Sequence, residues 1–283
     1  MTPAAPRSDQ RKRPDGSPSA RGDAGGGDSS LLPQIDLGGL AVHSVRERDC
    51  ADIVMAALQS GRGGWIATAN VDHLRRLRRS ADFRRAYDQA SLVVADGMPL
   101  VWASKLQGTP LPERVAGSDL TRSLTMAAAE NGRGVFFLGG NPGCAEKAAE
   151  ELSRQTKGLK VSGISCPPLG FEDDPNALDA LAAQLKTSGA DVVFVALGSP
   201  KQELFIEQAR ATLPSAWWIG VGISFSFVAG EVARAPRWMR RMGLEWLHRL
   251  CQEPGRLWSR YLLHGPPCVA GLLARSLWRR ITP

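Results

Sequence analysis

Short, nearly unbroken apolar runs recur along the middle of this chain, each followed by a stretch of helical periodicity, and this alternation restricts the fold more than any other feature. The runs cover residues 64–69, 92–95, 135–138, 160–165, 192–197 and 217–221. A strand with one face in water alternates apolar with polar residues. Continuous runs belong to strands covered on both faces, as in a parallel sheet flanked by helices. Helical patterns separate them over residues 71–90, 119–131, 145–156, 177–188 and 200–213. The expected core, residues 34–233, is therefore an α/β layer structure with a mostly parallel sheet. With 43% hydrophobic residues the chain has enough apolar side chains to fill it.

The two ends read differently. Residues 1–33 are rich in Pro, Gly, Ser, Arg and Asp without apolar periodicity, so a disordered tail is expected there. This stretch has no apolar segment of the kind a secretory signal needs, and the expected location is the cytoplasm. The five cysteines (Cys50, Cys144, Cys166, Cys251 and Cys268) are widely spaced with no C-x-x-C pair, so reduced, mostly buried thiols are expected. Cys144 follows a glycine loop at an expected helix start, a place that can lower a thiol pKa.

From Arg234 to the end there are ten arginines against two glutamates, a surplus of eight; the whole chain carries +7, so the remainder is at −1. The same segment holds Trp238, Trp246, Trp258 and Trp278 among leucines. Residues 234–283 are thus expected to form a basic, Trp/Arg-rich helical appendage lying on an anionic membrane surface, with Trp at the interface. The apolar patch 268–273 is far shorter than the roughly 20 residues that cross a bilayer. A solvated helix face and nucleic-acid binding are the competing readings, and the density of Trp and Leu argues against a purely solvated face.

In open α/β sheets ligands bind beyond the carboxyl ends of the strands. Those positions hold Thr68 and Asn70, Asp96-Gly97, Gly139-Gly140-Asn141-Pro142-Gly143, Ser199-Pro200-Lys201-Gln202 and Gly220-Val221-Gly222. Asp96 is the only acid on this expected rim and a candidate general base, though an Asp-Gly turn or a helix cap explains it equally from local sequence. Gly139 and Gly140 open a strand-to-helix loop that can offer backbone N–H groups to a diphosphate, or simply turn tightly. Ser199 to Gln202 reads as a capping box with Pro200 in the first turn, and Lys201 stands ready to meet a phosphate at that helix end. Arg114 lies on a loop before a helix, where arginines are usually solvated. The acids Glu172, Asp173 and Asp174 fall on a loop read as solvated. G-x-G-x-x-G is not completed, since Phe225 stands at the third glycine position, which disfavours a nicotinamide oxidoreductase. No D-x-D follows a buried strand and the four histidines are scattered, so no metal or other cofactor is expected.

Several of these segments together carry a resemblance. Thr68-Ala69-Asn70-Val71-Asp72-His73, Ala95-Asp96-Gly97-Met98-Pro99, residues 112–117, residues 197–203, and Arg234-Ala235-Pro236 with Leu244-Glu245-Trp246 are similar, in order and spacing, to the WecG/TagA/CpsF glycosyltransferases. The similarity runs from about residue 36 to about residue 262. It implies a Rossmann-like GT-E core and an inverting, metal-independent transferase. A sugar would pass from a UDP-sugar (N-acetylmannosamine, its uronic acid or another hexose) to a polyprenyl-diphosphate-linked saccharide in cell-surface polysaccharide synthesis. The family's base falls on Asp96 and its pocket residues on Thr68, Asn70, Arg114 and Gln202. Arg249, Arg256 and Arg260 are the nearest matches to appendage arginines that cover the donor diphosphate at the inner face of the membrane. Family members often self-associate, which implies a homo-oligomer. A nucleotide-sugar hydrolase or epimerase, and a non-catalytic peripheral membrane protein, remain the alternatives. Where members read Gly-Val-Gly-Gly-Ser-Phe-Asp, this chain has Ile223 for the second of the paired glycines and Ser226 for the Asp.

Overall fold

The computed structural model describes residues 32–282. The expected disordered tail lies outside them except for Leu32 and Pro33, and the Pro33 carbonyl accepts the Ser44 N–H at 2.8 Å. The core is a six-stranded parallel sheet in the order β4-β3-β8-β7-β5-β6. Its strands are β3 (Gly64–Ala69), β4 (Leu92–Ala95), β5 (Gly134–Gly139), β6 (Lys160–Ser165), β7 (Val192–Ala196) and β8 (Trp217–Gly220). Every residue of β3, β4, β5, β7 and β8 is buried, as continuous apolar runs require, while β6 at the edge is partly exposed. Successive side chains alternate between two cores. Trp65, Phe136, Val193 and Trp218 enter one, and Ile66, Phe137, Phe194 and Ile219 the other.

Helices α1 (Glu47–Gln59), α2 (Val71–Leu77), α3 (Ala81–Asp88), α4 (Met98–Gln107), α5 (Gly117–Glu130), α6 (Cys144–Gln155), α7 (Pro175–Ser188) and α8 (Lys201–Ala209) cover the sheet, followed by the short α9 (Ser224–Val228). The single helix expected over 71–90 is in fact two, because Ser80 accepts the Phe83 N–H and caps a new helix. A small antiparallel hairpin, β1 (Gln34–Asp36) with β2 (Ala41–His43), precedes the sheet; strands of three residues give no periodic signal to read.

The basic segment folds as α10 (Arg237–Arg241), α11 (Glu245–Gln252), α12 (Pro254–Trp258), a π-helical turn (Ser259–His264) and α13 (Gly265–Ile281). No helix among the described residues is long and apolar enough to cross a membrane. Within the apolar patch 268–273, Cys268 and Leu272 join the core as α13 packs on α2 and α4. The large apolar side chains that α13 exposes are Leu277, Trp278 and Ile281.

Candidate active site

The carboxyl ends of β3, β4, β5, β7 and β8 open into a cleft of about 1200 Å³, roofed by α11, α12 and the π-helical turn. The candidate catalytic and substrate-binding residues all line it: Asp96, Thr68, Asn70, Arg114, Gly139, Gly140, Ser199, Lys201, Gln202, Arg249, Arg256 and Arg260.

Asp96 leaves β4 with its N–H on the Ala69 carbonyl at 2.7 Å, so the strand pairing fixes where its side chain begins. The half-buried carboxylate accepts one hydrogen bond, from the Gly117 N–H at 3.3 Å, at the start of α5. Burial raises its pKa to about 6, helped by Glu245 and Asp119 and opposed by Arg114 and the Gly117 N–H. Such a group is ionised near neutral pH yet basic enough to take a proton.

Arg114 is not solvated. Its Nη1 donates to Glu245 Oε2 at 2.6 Å and its Nη2 lies 3.6 Å from Asp119 Oδ2. Burial disfavours its charge, but Asp96, Glu245 and Asp119 more than restore it. Further cations come from the roof. Arg249 has a buried Nε without a partner, Arg256 bonds Glu253 at 2.6 Å, and Arg260 lies 3.8 Å from Asp72 and 5.7 Å from the Tyr261 ring centre. Lys201 pairs with Glu172, which lines the cleft instead of lying on a solvated loop.

The floor is polar and mostly committed. Thr68 donates to the Gly220 carbonyl at 3.3 Å, and Asn70 Oδ1 caps α2 by accepting from the Asp72 and His73 N–H groups. The expected capping box at Ser199–Gln202 does not form. Helix α8 begins at Lys201 with Pro200 as its uncapped N-cap. Gln202 instead reaches across to β8, accepting from the Gly222 N–H at 3.0 Å and donating to Glu203 at 2.9 Å. Ser199 Oγ is buried without a partner. At the glycine loop, the Gly140 N–H is already bonded to the Ala196 carbonyl at 2.9 Å, so it is not free for a phosphate. A Cβ at Gly139 would lie 2.8 Å from Leu197 Cδ2, so glycine there lets the backbone form a close wall. Burial raises the Cys144 pKa, the opposite of the expectation from its helix-start position.

Sequence reasoning assigned no role to Glu245, Asp119 or His73. Glu245 lay in a resemblance motif, but nothing local ties it to Arg114, more than a hundred residues earlier. His73 is buried, with Nδ1 2.5 Å from the Tyr87 hydroxyl, and burial lowers its pKa.

The family model for the glycosyl transferase WecG/TagA/CpsF family matches residues 35–282. The chain belongs to this family. It is 36% identical over 206 residues to the N-acetylglucosaminyldiphosphoundecaprenol N-acetyl-beta-D-mannosaminyltransferase of Bacillus spizizenii, covering 72% of this chain and 77% of that protein.

It is thus a WecG/TagA/CpsF glycosyltransferase, and the family match runs past residue 262 to include α13. The two departures from the family pattern lie beside the cleft. Ile223 lines it directly. Ser226 lines it too, buried and 3.4 Å from both Cys144 Sγ and Glu231 Oε2.

Proposed function

We propose that this glycosyltransferase moves a sugar from a UDP-sugar to a polyprenyl-diphosphate-linked saccharide by direct displacement, with Asp96 as base. Asp96 takes the proton of an acceptor hydroxyl as that oxygen attacks the anomeric carbon. The bond to the diphosphate breaks on the opposite face, UDP leaves with the electron pair, and the configuration inverts. The observation that carries this reading is the Asp96 carboxylate at the end of β4, raised to a pKa of about 6 and opening into a cleft that also presents Arg114, Arg249 and Arg260.

Those arginines, with Lys201, are the groups proposed to take up the charge developing on the leaving diphosphate in place of a divalent metal. The name of the Bacillus relative supports an N-acetylmannosamine-like donor and a polyprenyl-diphosphate acceptor, and so a role in cell-envelope polymer synthesis. Exposed Trp238, Trp258 and Trp278 and the surrounding arginines support docking on the inner face of the membrane, where such an acceptor resides.

A panel of UDP-sugars with a short-chain polyprenyl-diphosphate saccharide in EDTA tests the reading. The expected result is UDP release that requires the acceptor. Release at the same rate without acceptor would make the protein a hydrolase.

A further inference from the structure

The appendage does more than roof the cleft: one of its side chains organises the charges around Asp96. Three carboxylates (Asp96, Asp119 and Glu245) and three guanidiniums (Arg114, Arg234 and Arg240) meet where α5, α10 and α11 converge. Arg234 clamps Asp119 with two hydrogen bonds of 2.6 and 2.8 Å, and its Nε lies 3.5 Å from Glu245 Oε1. Glu245 thereby bridges two arginines, Arg234 through one oxygen and Arg114 through the other at 2.6 Å. Among the described residues no ion pair joins Arg114 directly to Asp96; the guanidinium is claimed by Glu245 and Asp119.

A second feature fixes Glu245 in place. Gly243 stands two residues before it with φ at +75°, and a Cβ there would lie 2.8 Å from Met98 Cβ and 2.9 Å from Trp102 Cζ2. The turn into α11 therefore rests directly on the Met98 and Trp102 side chains of α4, the helix that follows Asp96, with no room for a side chain at Gly243.

We propose that Glu245 is a positioning residue for the reaction: by holding Arg114 it keeps that guanidinium facing the cleft and out of direct pairing with Asp96. The inference rests on the reading of Asp96 as base. The charged and titratable groups facing Asp96 are Arg114 from the preceding loop, Asp119 on α5, Glu245 on α11 and Tyr87 on α3. Glu245 and Asp119 disfavour its ionised form and Arg114 favours it. Neutralising Glu245 releases Arg114 to the nearest remaining carboxylates, Asp96 among them. A carboxylate paired with arginine is both a weaker base and a covered one.

The test uses the full chain. Wild type, Asp96→Asn, Glu245→Gln, Glu245→Asp and Gly243→Ala are compared for acceptor-dependent transfer between pH 5 and 8, with thermal melting of each. Glu245→Gln is expected to lower kcat/KM by roughly 10- to 100-fold, the scale of a misplaced catalytic group. Its acid limb should move to lower pH, and Glu245→Asp should recover part of the rate. Gly243→Ala, which displaces the turn without touching a charge, should lose rate in the same direction. Wild-type kcat/KM with an unmoved acid limb in Glu245→Gln would overturn the proposal. So would a lowered donor KM with a raised kcat/KM, which would make Glu245 a plug on Arg114. If Glu245→Gln does not fold, Glu245→Asp and Gly243→Ala decide by the same criteria. An inactive Asp96→Asn beside a normal Glu245→Gln sinks this inference alone, whereas an active Asp96→Asn sinks the base itself.

Discussion

The floor and the roof of the cleft are built to different standards. On the floor, strand pairing sets Asp96, Asn70 caps α2, and Gln202 is bonded at both ends of its amide, all above strands with no exposed residue. In the roof, α10 and α11 contain no buried residue, α10 and α12 are single turns of five residues, and Arg249 leaves a buried Nε unpaired. Helices this short draw their stability from what they pack on. The comparison teaches that the proposed base is set by the core, while the cations Arg249, Arg256 and Arg260 ride on short elements of the roof.

The difference can be broken most sharply at Asp96. Asp96→Asn is expected to lose roughly 10²- to 10⁴-fold in turnover while keeping the fold. Its stability should not suffer. Since the folded pKa is raised above the ordinary carboxylate value, the ionised group destabilises the native state above about pH 6, and that penalty fades as the pH falls through 6. Thermal melting should therefore place Asp96→Asn at or above wild type at pH 7, with the gap closing in acid; a large loss of melting temperature at pH 7 would show the carboxylate to be structural.

Helix α13 offers the same contrast on one element. Leu272 is fully buried and Trp278 is 64% exposed. Leu272→Ala should cost about 2–5 kcal/mol in chemical denaturation, as cavity-forming substitutions do. Between these positions in function lies Arg249→Ala, expected to reduce kcat/KM about 10- to 100-fold with little change in melting temperature, because its Nε has no hydrogen bond to lose. The smallest effect belongs to Trp278→Ala: unchanged melting and soluble-substrate kinetics, with a few-fold weaker sedimentation with anionic vesicles. Equal binding to vesicles would move the membrane contact elsewhere in the appendage.

Much of this was legible in the sequence because burial on both faces writes itself into composition. Leu92 to Ala95 could be nothing but a covered strand, and the residue after it had to reach the rim. Local grammar was less reliable. Ser199 to Gln202 spelled a capping box, yet Gln202 found the Gly222 N–H across the sheet, a partner no local rule contains. The apolar character of residues 268–273 was visible in the sequence, but their partners on α2 and α4 were not. The cluster of Arg114, Asp119, Arg234 and Glu245 joins segments far apart in the chain, and each residue alone looks like an ordinary surface charge.

The central claim, that Asp96 works as the base, is tested most directly by kcat/KM for acceptor-dependent transfer as a function of pH. The account predicts an acid limb with a midpoint near the pKa of about 6 that burial gives this carboxylate, with activity rising as the proton leaves. A profile flat between pH 5 and 7, with the chemical step shown to limit the rate, would contradict it.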